Sequence, residues 1–299
     1  MLRIQQFKVV STRLESQTQH LFRNKQLFIK PNSLIRYPAI SSNISTANSQ
    51  SISSNLIMVN SIDEISTKRA SITHILFDMD GLLLDTENFY SQVQEEILAR
   101  FGKKFDWSLK VKMMGAKALE SAKIFVEESG ISDSLTPEQF LVEREDMLQH
   151  LFPTCKLMPG VSRLVHHFHK SGIPMAVATG SNERDFELKA QNHGDILSMM
   201  HHIVNGDDHE VKQGKPSPDI FLAAARRFED GLVDPRKILV FEDAPAGVAA
   251  AKKAGMSVVM VPDPGLDSSY HSGADQVLSS LSDFNPAEWG LPPFQDVAS

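Results

Sequence analysis

The chain is poor in cysteine, tryptophan and tyrosine, and it contains no long apolar run. A single cysteine in 299 residues, Cys155, excludes an intramolecular disulfide and the multi-cysteine zinc patterns. Lying away from every motif described below, Cys155 is expected to pack rather than react. No apolar stretch approaches the ~18 residues that cross a bilayer, so no membrane partner is expected. Aromatic residues make up 7% of the chain and do not interleave with basic ones in the way single-stranded nucleic acid requires.

Residues 1–60 hold a single acid. They carry Arg3, Lys8, Arg13, Arg23, Lys25, Lys30 and Arg36 against Glu15 alone; with a chain total of -7, residues 61–299 hold -13. An acidic folded part argues against a nucleic-acid partner, which needs dense Lys and Arg. The Arg- and Ser-rich, acid-poor leader reads as a disordered transit peptide. Interleaving of Leu2, Ile4, Phe7, Val9 and Val10 with Arg3, Lys8 and Arg13 favours the mitochondrion. Serine-rich residues 41–54 keep the chloroplast as an alternative, and initiation at Met58 would give a cytosolic product.

What is present is concentrated in Asp78-Met79-Asp80-Gly81, directly after the β-prone run Ile72–Phe77. Alternate side chains of a strand point the same way, so Asp78 and Asp80 begin on one side of the backbone. Two close carboxylates repel, and an oxygen-only pair of this kind suits Mg²⁺. An isolated Asp-x-Asp would be no more than a solvated turn.

Three further strand ends carry chemistry. Pro174–Ala178 leads into Thr179-Gly180-Ser181-Asn182, offering a hydroxyl and a small residue that lets N–H groups close on a phosphate. Gly214-Lys215-Pro216-Ser217-Pro218-Asp219 places a lysine before a helix start with Ser217 as expected N-cap. Ile238–Phe241 runs into Glu242-Asp243. Strand-like runs at 72–77, 174–179, 202–204, 238–241 and 257–261 alternate with helix-like ones at 161–171, 184–193, 217–228 and 245–254. Such alternation predicts an α/β fold, a Rossmann-like three-layer sandwich with a mainly parallel sheet.

Residues 88–158 break the alternation. Tyr90–Arg100, Lys117–Ser129 and Glu138–Leu151 read as helices, with Gly130 as a C-cap and Thr136-Pro137-Glu138 as a helix start. A helical cap domain at 88–158, inserted between core segments 71–87 and 159–295, is expected. The histidines at 166, 167, 169, 201 and 202 lack an accompanying carboxylate constellation and are expected to be solvated or packed.

Four motifs in this order resemble those of the haloacid-dehalogenase-like phosphohydrolases. Within that superfamily, Phe105–Lys110, Lys112–Gly115, Phe125–Gly130 and Glu288-Trp289-Gly290-Leu291-Pro292 resemble the plant glycerol-3-phosphatases, and next the pseudouridine-5'-phosphatases. The resemblance implies Asp78 as nucleophile and Asp80 as general acid/base. It implies Thr179, Gly180 and Lys215 on the phosphate, and Mg²⁺ held by Asp78, the backbone carbonyl of Asp80 and Asp243, with Glu242 close by. The cap loop would bring Gly115 and Lys117 to the substrate, although Lys117 also reads as a solvated helix start. A small phosphorylated metabolite is the implied partner, glycerol 1- or 3-phosphate first. Pseudouridine 5'-phosphate, FMN or a sugar phosphate are alternatives, as is a β-phosphoglucomutase-like isomerase. A monomer is the default.

Overall fold

The computed structural model describes residues 71–114, 118–228 and 233–295. The transit-peptide expectation for residues 1–60 and the cap-loop residues Gly115 and Lys117 lie outside them. Six strands form one parallel sheet: β1 (His74–Phe77), β2 (Met175–Ala178), β3 (His202–Val204), β4 (Ile238–Glu242), β5 (Ser257–Met260) and β6 (Gln276–Val277). Their order is β3-β2-β1-β4-β5-β6, which puts β1 at the point where the winding reverses. Ligands of open parallel sheets bind at the carboxyl ends of strands at such a switch point. Five strands were expected; β6, two residues long, carries no periodicity to read.

Each central strand is buried on both faces, as its apolar composition requires. Ile75, Phe77, Leu239 and Phe241 pack under helix α5 (Val161–Lys170) and the C-terminal Trp289 and Leu291. Leu76, Val240 and Val258 face α8 (Asp219–Arg226) and α9 (Pro245–Lys253). Trp289, in the segment that carried part of the resemblance, is buried and donates to Gln276 Oε1 at 2.8 Å, so it seals the sheet rather than touching the site.

Two helix starts after the motifs behave differently. Asn182 caps α6 (Glu183–Ala190) by accepting from the Asp185 N–H at 2.8 Å. The expected 184–193 helix ends early and a short α7 (Gly194–Leu197) follows. Ser217 does not cap α8: Pro218 occupies the cap position, and the Ser217 hydroxyl donates to Asp219 Oδ1 at 2.7 Å. The Asp219 carboxylate instead ties down the preceding loop through the N–H groups of Lys212 and Gln213, both at 3.0 Å.

Between β1 and α5 lie α1 (Glu87–Ala99), α2 (Trp107–Met113), α3 (Ala118–Glu128) and α4 (Pro137–Leu151). They bury a separate apolar cluster, with Phe125 stacked on Phe140 at 4.0 Å. Thr136 and Gln139 form a capping box on α4. The seven-residue α2, capped by Asp106, was not anticipated: it is too short for a periodic signal. The chain leaves and re-enters the sheet layer side by side. Asp85 N–H donates to Lys156 O at 3.0 Å, and Met158 N–H to Leu83 O at 2.9 Å. Among the described residues, no helix is long and apolar enough to cross a membrane.

His202 packs on Phe228, and its Nε2 lies 2.9 Å from Ala224 O, so Nε2 carries a proton. Burial pushes the imidazole down to about 4, with repulsion from His201 and Arg227 added and the Ala224 hydrogen bond opposing. A histidine held neutral in the fold favours folding above its unfolded value of ~6.5 and loses that contribution as pH falls toward the folded value. His202→Gln is therefore expected to flatten the fall in melting temperature between pH 6.5 and 4. Parallel wild-type and variant curves would defeat this.

Candidate active site

Parallel register brings the expected acids together. Phe77 pairs with Val177 of β2 and Phe241 of β4, so the strands that precede Asp78, Thr179 and Glu242-Asp243 end on one edge. The Asp78 N–H still donates to Phe241 O at 2.9 Å. Gly81 follows with φ +76°, and a β-carbon there would collide with the Asp243 carboxylate. Only glycine lets this turn close against Asp243.

Lys215 Nζ donates to Asp78 Oδ1, to Glu242 Oε1 at 2.5 Å and to Ala178 O at 3.2 Å. The other oxygen of the fully buried Glu242 accepts from the N–H groups of Asp243 and Ala244, at 3.1 and 3.2 Å. Burial pushes the Asp78 carboxyl up to about 8; Lys215 pulls against this, while Glu242 and Asp80 add repulsion. Asp243 is also raised well above its ordinary value, by burial and then by Glu242 and Asp78. Burial alone would discharge Lys215, but Asp78 and Glu242 outweigh it and keep the ammonium protonated.

One lysine among three buried acids leaves negative charge in excess. Asp78, Glu242 and Asp243 each place an oxygen within 4.8 Å of the others. An all-oxygen set with surplus charge fits Mg²⁺. The other acidic group of this kind, Asp208-His209-Glu210, is neutralised by Arg227 and Arg226 at 2.7 and 2.8 Å.

Asp80 stands outside that cluster. Its Oδ1 accepts from Thr86 Oγ1 and Lys189 Nζ, each at 2.5 Å, and its Oδ2 from Ser181 Oγ at 2.7 Å. Burial alone would raise the Asp80 carboxyl, but Lys189's charge and these hydrogen bonds hold it below the usual range. In this arrangement Asp80 is an ionised acceptor. Lys189 has no exposed surface; it also donates to Ser181 Oγ at 2.7 Å and to Tyr90 OH at 3.2 Å, with its Nζ 4.3 Å from the Phe152 ring centroid.

Lys189 escaped the sequence reading because α6 looks solvated, with Glu183, Arg184, Asp185 and Glu187 around it. A signal existed: Lys189 lies three residues after Phe186, which packs against the core, and so shares the helix's inward stripe. Thr179 is fully buried; its hydroxyl faces Asp80 Oδ2 at 3.4 Å and accepts from the Ser181 N–H at 3.1 Å. Around Gly180 nothing lies within 4 Å of a hypothetical β-carbon, so the side that a β-carbon would occupy is open.

A cavity of about 300 Å³ joins these parts. Asp78, Asp80, Gly180, Lys215 and Asp243 line its sheet side, and Tyr90, Met114, Ser121 and Arg144 its helical side. It can seat a small anionic ester with its charge against Lys215 and its remainder under α1 and α4.

Residues 72–255 match the haloacid dehalogenase-like hydrolase family, and the chain belongs to it. By family and by site it is a phosphoric monoester hydrolase. The chain is 68% identical over 232 residues to (DL)-glycerol-3-phosphatase 2 of Arabidopsis thaliana, covering 78% of this chain and 97% of that one. It is 69% identical over 228 residues to (DL)-glycerol-3-phosphatase 1, mitochondrial, of the same plant, covering 76% of each. Among solved structures, CbbY from Rhodobacter sphaeroides in complex with phosphate is similar with a TM-score of 0.58 at 26% identity, over 71% of this chain and 96% of that one.

Proposed function

We propose that the chain hydrolyses glycerol 1- or 3-phosphate to glycerol and inorganic phosphate through an aspartyl-phosphate on Asp78. The observation that carries this reading is the buried set of Asp78, Glu242 and Asp243 around Lys215 at the sheet's switch point. The high identity to two glycerol-3-phosphatases supports the choice of ester.

Ionised Asp78 attacks phosphorus, forming the aspartyl O–P bond as the ester P–O bond breaks. Asp80 gives a proton to the departing alcohol oxygen and takes one from the water that then attacks phosphorus, freeing Asp78. As Lys189's partner, Asp80 is in the proton-accepting state; to serve the alcohol it must first carry a proton and turn off Lys189. Lys215 neutralises Asp78 and a phosphoryl oxygen, and Thr179 and Gly180 hold the others. Asp78, the Asp80 backbone carbonyl and Asp243, with Glu242 beside them, would hold Mg²⁺, which would supply charge that offsets the phosphoryl group. Helices α1–α4, as a cap at 88–158, exclude water above the site.

Phosphate release from the full chain tests this. Glycerol phosphates are expected to be turned over faster than pseudouridine 5'-phosphate, FMN or hexose phosphates with Mg²⁺ present, and EDTA is expected to abolish release until Mg²⁺ is restored. Undiminished activity in EDTA would remove the metal, and a preference for another ester would remove the substrate. The basic residues 1–60 and the mitochondrial relative support delivery to the mitochondrion. A fluorescent reporter carrying residues 1–60 should concentrate there; diffuse signal would defeat the proposal.

A further inference from the structure

We infer that Arg144 is the residue that reads the alcohol part of the substrate, selecting short polyol phosphates over plain alkyl phosphates. The inference deepens the glycerol phosphate reading and rests on it. Arg144 lies on α4 and lines the same cavity as Asp78, Lys215 and Asp243, on the opposite wall. Its guanidinium carbon sits 5.8 Å from the Tyr90 ring centroid and 5.6 Å from that of Phe140, which fixes the head in place. Its Nε is buried and makes no hydrogen bond. No carboxylate among the described residues pairs with it, whereas Arg100 of the same helical layer is paired with Glu143 at 2.5 Å.

A pinned guanidinium that lines a catalytic cavity and has no carboxylate partner among the described residues calls for an acceptor on the ligand. Lys215 is engaged deep in the site with Asp78 and Glu242, so Arg144 is the other cation among the described lining residues. The chemistry around it narrows the acceptor. Glu145 and Asp185 line the same cavity. A second carboxylate or phosphate on the substrate would be repelled by them. Hydroxyl groups suit this wall: each accepts from the guanidinium and donates to a carboxylate, and two neighbouring hydroxyls match the paired N–H groups of an arginine fork. A three-carbon diol on a phosphate ester has these groups; a plain alkyl chain of equal length has none.

The test compares glycerol 3-phosphate with n-propyl phosphate, using wild type, Arg144→Met and Arg144→Lys in the full chain with Mg²⁺. Methionine keeps an apolar stem over Tyr90 and Phe140, and lysine keeps the charge while losing the fork. For Arg144→Met, kcat/KM on glycerol 3-phosphate is expected to fall about 30-fold, the size associated with hydrogen bonds to a charged group, carried mainly by KM. On n-propyl phosphate it should change less than about threefold by the same reasoning, since no hydroxyl is lost. Arg144→Lys should recover part of the loss on glycerol 3-phosphate alone. Equal losses on both esters, or none on either, in variants with unchanged melting temperature would overturn the assignment. A wild-type enzyme that turns over n-propyl phosphate but not glycerol 3-phosphate would overturn the polyol reading itself, and this inference with it.

Discussion

Asp78→Asn is expected to leave the protein folded and to reduce phosphate release by ~10⁴-fold or more, because a covalent route cannot start without its nucleophile. The amide is nearly the shape of the carboxyl it replaces. Stability should hardly change, since burial already disfavours the charged form of Asp78 and pushes its carboxyl up to about 8. Lys215 keeps Glu242 as a partner in the variant, at 2.5 Å. Melting temperature and phosphate release, measured on one preparation, separate the two quantities. Residual turnover within tenfold of wild type would mean that another group attacks phosphorus.

Lys189→Met carries the second large effect, this time on stability. The side chain has no exposed surface and pairs with Asp80 at 2.5 Å. Removing one member of such a pair leaves the other's charge poorly compensated, which costs about 3–5 kcal/mol. Thr86 and Ser181 continue to donate to Asp80, so the lower end is the firmer expectation. For a folded part of this size that corresponds to a drop of roughly 10 °C in melting temperature. Adding Asp80→Asn removes the stranded charge, and the double variant should regain most of the lost stability. Denaturant unfolding of the four proteins completes the cycle; strictly additive losses would mean that the two side chains do not act as a pair.

The first, second and fourth motifs were legible because they combine two local signals: an apolar β-prone run and a polar, turn-forming residue set directly after it; Lys215 was expected at a strand end too, but it lies in the loop between β3 and α8. Each motif alone is weak, and their order supplied the weight. Asp80 marks the limit of that reading. Its position beside Asp78 was plain from spacing, but its protonation state depends on Thr86, Ser181 and Lys189, which reach it from a turn, a loop and a helix separated by up to 109 residues. Arg144 was hidden for a related reason. On a helix whose exposed face is rich in charge, an arginine aimed at a cavity has the same sequence neighbours as one aimed at water.

By itself the sequence determined the α/β class, the run of helices between β1 and α5 and the acids that follow β1 and end β4, because these follow from hydrophobic periodicity and turn chemistry over a few residues. Only the tertiary structure decided which distant charges meet: Lys215 between Asp78 and Glu242, Lys189 on Asp80, and Arg144 left without a carboxylate. Coulombic and hydrogen-bond energies depend on separation in space and on burial, and neither quantity is written in the spacing of residues along the chain.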